Sequence, residues 1–114
     1  SAPFHCALMM PAEERLAADL GRLEYGDFAF PIVHNVDAAV NSDRSKVREN
    51  LTDQVSSPVR WLQSVETMTA AGVVKFVEIG PGKVLTGLVR QISRDVTYAN
   101  IENLDSLKNT LESL

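Results

Sequence analysis

At 114 residues with a net charge of −4 and no Lys/Arg cluster, the chain has the size of one small domain, and its balance argues against a nucleic-acid partner. Hydrophobic residues make up 45% and charged residues 23%, a composition that excludes a disordered segment. The single cysteine, Cys6, excludes an internal disulfide framework, and no apolar run approaches the roughly 20 residues that a bilayer span requires.

Ser1-Ala2-Pro3-Phe4-His5 shows neither an initiator Met nor a signal-peptide pattern, so the expectation is a chain that begins inside a longer protein, in a cytoplasmic setting. Pro11 with Glu13 and Glu14 predicts a helix start, proline being preorganised for the first turn and carboxylates favouring the positive end of the dipole. Leu16, Leu20 and Leu23 then fall on one stripe, expected to be buried, until Gly26 breaks the pattern. Phe30 to Val36 reads as a short strand with Pro31 near its start.

Ser42 or Asp43 is the expected cap of a second helix, in which Val47, Leu51 and Val55 recur and Gln54 sits at the edge of the apolar face. Pro58 is expected to end that helix and open another, with Trp61, Leu62, Val65, Met68 and Thr69 on one side and Gly72 as its C-terminal cap. Val73 to Ile79 is β-branched and almost continuously apolar, which predicts a strand covered on both faces. After the turn Gly80-Pro81-Gly82, the stripe Val84, Leu85, Leu88, Val89 and Ile92 predicts a helix, and Val96 to Ile101 a parallel strand, together a βαβ unit. Leu104, Leu107, Leu111 and Leu114 predict a terminal helix. The alternation defines an α/β class, with three visible strands that look like part of a larger sheet.

Few residues offer chemistry. His5 is a candidate general base, because histidine ordinarily titrates near neutrality. Cys6 adjoins it, but neighbouring side chains diverge, so a buried structural cysteine is expected. Gly80-Pro81-Gly82-Lys83 departs from the phosphate-loop pattern, since Val84 follows the lysine and Pro81 lacks an amide donor; nucleotide binding is therefore not expected. His5, Cys6 and His34 lack a zinc spacing, so no metal is expected, and Glu13, Glu14 and Asp43 read as helix-start charges on a solvated face.

Four ordered blocks carry a resemblance: Ser1 to Met9, Pro31 to Asp37, Asp53 to Trp61 with its Gln-Val-Ser-Ser-Pro core, and Phe76 to Leu88 around Gly-Pro-Gly-Lys. Together they resemble the C-terminal part of the malonyl-CoA:acyl carrier protein transacylase family, across essentially the whole chain. The resemblance implies the C-terminal portion of an α/β-hydrolase-like acyltransferase core, parallel strands with packed helices. It implies transfer of malonyl from coenzyme A to the phosphopantetheine thiol of acyl carrier protein through an acyl-serine, in fatty-acid synthesis, with no cofactor and no membrane partner. His5 stands at the position of the family's base and Gln54 at that of the residue whose backbone carbonyl orients it. Gly-His-Ser-x-Gly does not occur in the 114 residues. The nucleophile, the arginine for the malonyl carboxylate and part of the oxyanion hole are therefore expected in a missing N-terminal portion of the same enzyme, and the isolated chain is expected to be inactive. Phe4, directly before His5, reads either as packing or, by analogy with malonyl-selective domains, as favouring malonyl. Alternatives are the acyltransferase domain of a polyketide synthase and a non-catalytic binding module.

Overall fold

The structure is a computed structural model describing residues 3–113, so Ser1, Ala2 and the last leucine of the C-terminal stripe, Leu114, lie outside the described residues. It divides into two compact units, one ending at Thr67 and the other beginning at Met68.

In the first unit, α1 spans Met10–Leu20, with Pro11 in its first turn and Gly21 at its C-terminal cap. Because the helix ends at Leu20, the expected stripe does not continue: Leu20 is buried, while Leu16 and Leu23 are exposed. The expected strand at Phe30 to Val36 contracts to β1, Ile32–Val33, which pairs antiparallel with β2, Val40–Asn41. The chain turns back immediately after Val33: the Ala38 amide donates to the His34 carbonyl, and the Ala39 amide to the Asp37 side chain. Sequence pattern missed β2 because two residues carry no periodicity.

A short 3-10 turn at Arg44–Lys46 leads into α2, Val47–Asp53. Asp43 caps that 3-10 turn, one turn ahead of α2 itself, accepting from the Ser45 amide at 2.9 Å and the Ser45 hydroxyl at 2.7 Å; these bonds hold its carboxyl below the ordinary range. Contrary to expectation, Pro58 does not end this helix. It stops at Asp53, and the chain leaves through a turn in which Val55 donates to Thr52 and Ser57 to Asp53. α1 packs on α2.

Helix α3, Trp61–Ala70, begins in this unit; Val65 is completely buried and Leu62 exposed. Its end, in the second unit, matches the expectation for Gly72. Gly72 adopts φ +93°, its amide donates to Thr69, and the Val73 amide donates to Met68, which is a Schellman motif.

The second unit contains the expected βαβ arrangement. β3 (Lys75–Ile79) and β4 (Thr97–Ile101) are parallel, in a register that sets Glu78 opposite Asn100. Between them runs α4, Val84–Ile92, packed on both strands, and α5, Leu104–Glu112, packs on β4. The expectation that β3 is covered on both faces is corrected: its first four residues are half-buried, and Ile79 is 78% exposed. One neighbouring strand and two helices do not cover both faces within the unit. The terminal leucine stripe is likewise open, Leu104 and Leu111 being exposed while Thr110 is buried. Among the described residues the strands number four in two pairs, one antiparallel, rather than three.

Candidate active site

His5 precedes a single 3-10 turn, Ala7–Met9, that leads into α1. Its backbone lies at φ +56°, the left-handed region, where a side chain costs about 1 kcal/mol. This conformation delivers the imidazole to the far end of α2: Nδ1 lies 3.0 Å from the backbone oxygen of Gln54. A carbonyl oxygen only accepts, so Nδ1 carries the proton and, in the neutral ring, Nε2 bears the lone pair.

The availability of that carbonyl follows from local chain chemistry. Gln54 is the C-cap of α2, where backbone oxygens have lost their helical partners. The residue four positions on, which in a continuing helix would supply the amide, is Pro58, and proline has none. The Gln54 oxygen is thus left for a donor from elsewhere, and the His5 ring is that donor.

The other sequence candidates lie differently. Cys6 is half-buried rather than buried, and its thiol donates to the Pro3 carbonyl at 3.2 Å. His34 is buried in the β1–β2 turn, where its Nδ1 sits 3.2 Å from the Asn50 amide nitrogen, which also donates to Asp37 at 3.1 Å. An amide nitrogen donates, so His34 Nδ1 accepts and its proton resides on Nε2, the opposite tautomer from His5. Among the described residues no group of three His, Cys, Asp or Glu side chains is placed to hold a metal. Glu13 corrects the expectation of a solvated charge: it is half-buried and accepts a hydrogen bond from the Ser56 hydroxyl.

In the second unit, Gly80 and Gly82 have φ +141° and +87°, conformations that side chains rarely adopt, so the turn after β3 requires them. The Gly82, Leu85 and Thr86 amides are engaged by carboxylates. Glu78 accepts from the Leu85 amide at 3.1 Å and the Thr86 amide at 2.8 Å, and Glu102 from the Gly82 amide at 3.2 Å. Thr86 Oγ1 and Asn100 Nδ2 also donate to Glu78, holding its carboxyl below the ordinary range, with the Thr86 hydroxyl the largest cause. Sequence reading missed this residue. The available signal was a lone carboxylate in an apolar strand, just before a turn that opens a helix.

A histidine whose Nδ1–H is held by a fixed acceptor presents its Nε2 lone pair in one orientation, the arrangement that a base in a nucleophile–base pair requires. No family model matches the chain. Over 113 residues it is 40% identical to the malonyl CoA-acyl carrier protein transacylase of Staphylococcus aureus, and over 112 residues 39% identical to that of Escherichia coli. These matches take in 99% and 98% of the chain but only 37% and 36% of the relatives, so the chain spans about a third of their length. Among solved structures, the MCAT of Streptococcus pneumoniae superposes with a TM-score of 0.91 at 42% identity, over 100% of this chain and 37% of that one. A malonyl-transacylase solved in complex with a type II PKS acyl-carrier protein gives 0.90 at 42%, with the same coverage. In sequence and in fold, the chain matches the C-terminal part of the malonyl CoA-acyl carrier protein transacylases.

Proposed function

We propose that this chain supplies the general base of a malonyl-CoA:acyl carrier protein transacylase, with His5 as the base and the Gln54 carbonyl as its orienter. The observation that carries the proposal is the 3.0 Å contact between His5 Nδ1 and the Gln54 oxygen, which leaves Nε2 as the basic nitrogen. In the first half-reaction, Nε2 takes the proton of a serine hydroxyl contributed by residues outside this sequence as the oxygen attacks the malonyl thioester. The carbon–sulfur bond breaks, and the proton passes from His5 to the departing coenzyme A thiolate. In the second half-reaction, Nε2 takes the proton of the phosphopantetheine thiol, whose sulfur attacks the malonyl-serine, and the proton returns to the serine. The Gln54 carbonyl holds the ring throughout and favours the transient imidazolium, as the carboxylate does in a serine triad.

Malonyl-CoA and acyl carrier protein are the substrates named for the relatives, and fatty-acid synthesis in the cytoplasm is the setting this chemistry implies. Among the described residues no helix is long and apolar enough to cross a membrane. A second reading, transfer to a carrier of polyketide synthesis, is favoured by the likeness to the transacylase solved with such a carrier. The bond from Nδ1 to the Gln54 oxygen favours a catalytic role over a non-catalytic module, because it fixes the direction in which the imidazole is presented.

In a complete transacylase carrying this segment, His5→Ala should lower malonyl transfer by about 10²–10⁴. Turnover within threefold of wild type, with the circular dichroism spectrum unchanged, would remove His5 from the chemistry. Incubated alone with malonyl-CoA, the 114-residue chain should gain no malonyl mass; a stable adduct would show a nucleophile within it.

A further inference from the structure

Beside the His5–Gln54 contact runs a second tie between the same two stretches of chain. Glu13 lies in the first turn of α1, the helix that follows His5, and Ser56 lies in the turn that carries Gln54. The Ser56 hydroxyl donates to Glu13 Oε2, and both residues are half-buried. A first-turn carboxylate gains its helix-dipole stabilisation equally well facing water, so the dipole alone does not account for its direction. The turn from Gln54 to Ser57 contains no buried residue; its amides at Gln54, Val55 and Ser57 donate to α2, and the Gln54 carbonyl accepts from the His5 ring. Beyond the packing of α1 on α2, the Glu13–Ser56 bond ties that turn directly to the helix after His5. A hydrogen bond is lost with a displacement of about 1 Å, so the aim of the Gln54 oxygen depends on this placement.

We infer that Glu13 and Ser56 are positioning residues whose hydrogen bond holds the Gln54 turn against the helix following His5, and so holds His5 in its Nδ1–H tautomer. The inference rests on the reading of His5 as the base.

The test uses a complete transacylase carrying this segment, with 15N-labelled histidine. Two quantities are read: kcat and KM for malonyl transfer, and the His5 ring-nitrogen shifts that report where the proton resides. Ser56→Ala and Glu13→Ala should each lower kcat about tenfold, with KM within about twofold, and should move the His5 shifts towards a mixture of tautomers. The double variant should lose no more than either single one, because the two act as a unit. Glu13→Gln, whose amide oxygen still accepts from Ser56, should recover most of kcat and the original shifts. If the alanine variants do not fold, Ser56→Thr, which keeps the hydroxyl, and Ser56→Val, which lacks it, provide the same contrast. Unchanged ring shifts overturn the inference whatever kcat does, and so does a double variant whose loss is the product of the single losses. If His5→Ala leaves transfer intact, the base assignment fails separately, and the ring shifts of Ser56→Ala alone decide whether the tie exists.

Discussion

The two units meet the same elementary problem, the unpaired backbone groups at a helix end, in opposite ways. In the second unit, the Leu85 and Thr86 amides at the start of α4 are taken by Glu78, and that carboxylate also accepts from Thr86 Oγ1 and Asn100 Nδ2. Asn100 further donates to Thr86 at 2.9 Å, so the bonds close on themselves and tie β3, α4 and β4 together. In the first unit, the free carbonyl at the end of α2 is taken by a histidine ring, and the chain of bonds ends on Nε2. A closed network spends its polar groups on stability, whereas one that ends on a basic nitrogen leaves a group for chemistry. Among the described residues the positive φ values of the second unit belong to glycines, while in the first they belong to His5 and Ala38.

The sharpest way to break this contrast is to close the open network. Pro58→Gly restores an amide four residues after Gln54 and loosens the turn, giving the Gln54 oxygen a competing donor. Transfer by a complete transacylase carrying the change should fall about tenfold, whereas Gln54→Ala, which keeps the backbone carbonyl, should stay within about threefold of wild type. A reversed ranking in steady-state assays would assign the role to the Gln54 side chain instead.

Opening the closed network should act on stability and not on the base. Glu78→Ala strands the Leu85 and Thr86 amides and should lower Tm, with Glu78→Gln intermediate because its amide oxygen still accepts. The Glu78 carboxyl sits below its ordinary value of 4.5 in the fold, so its contribution is present above that value and is lost as pH falls through the depressed one. Thermal melts across that acid range should lose less stability in Glu78→Gln than in wild type. Equal slopes would mean that the carboxylate contributes nothing specific.

The smallest effect belongs to an ordinary cap. Asn103 accepts from the Ser106 amide at 2.9 Å, while the Ser106 hydroxyl accepts from the Asn103 amide at 3.0 Å, a reciprocal pair at the start of α5. Asn103→Ala should cost about 1 kcal/mol by urea unfolding, with turnover unaffected. A change in kcat would show that this end of the second unit serves the site.

Much of this was legible along the chain. The βαβ unit could be read because a near-continuous β-branched run, a Gly-Pro-Gly turn and a helical stripe are each local signals, and one short crossover between them makes the strands parallel. Asp43 and Gly72 were legible because capping depends on neighbours a few residues away. Histidine chemistry alone made His5 a candidate base, but its pairing with Gln54 was implied only by the order of four sequence blocks, since the Gln54 side chain carries no local mark of its role. The carbonyl did leave one trace, a proline four residues after Gln54, but nothing along the chain says which donor arrives.

Composition and local pattern by themselves determined an α/β segment with its helices, its parallel pair and its turns, because those depend on contacts between near neighbours in sequence. Only the tertiary structure decided that α2 stops at Asp53, that His5 turns left-handed to reach the Gln54 oxygen, that Glu13 meets Ser56, and that His34 and His5 carry their protons on opposite nitrogens. All but the first of these pair residues far apart along the chain. A hydrogen bond responds to tenths of an ångström in space and not to separation in sequence, so such pairs exist only once the segments have packed.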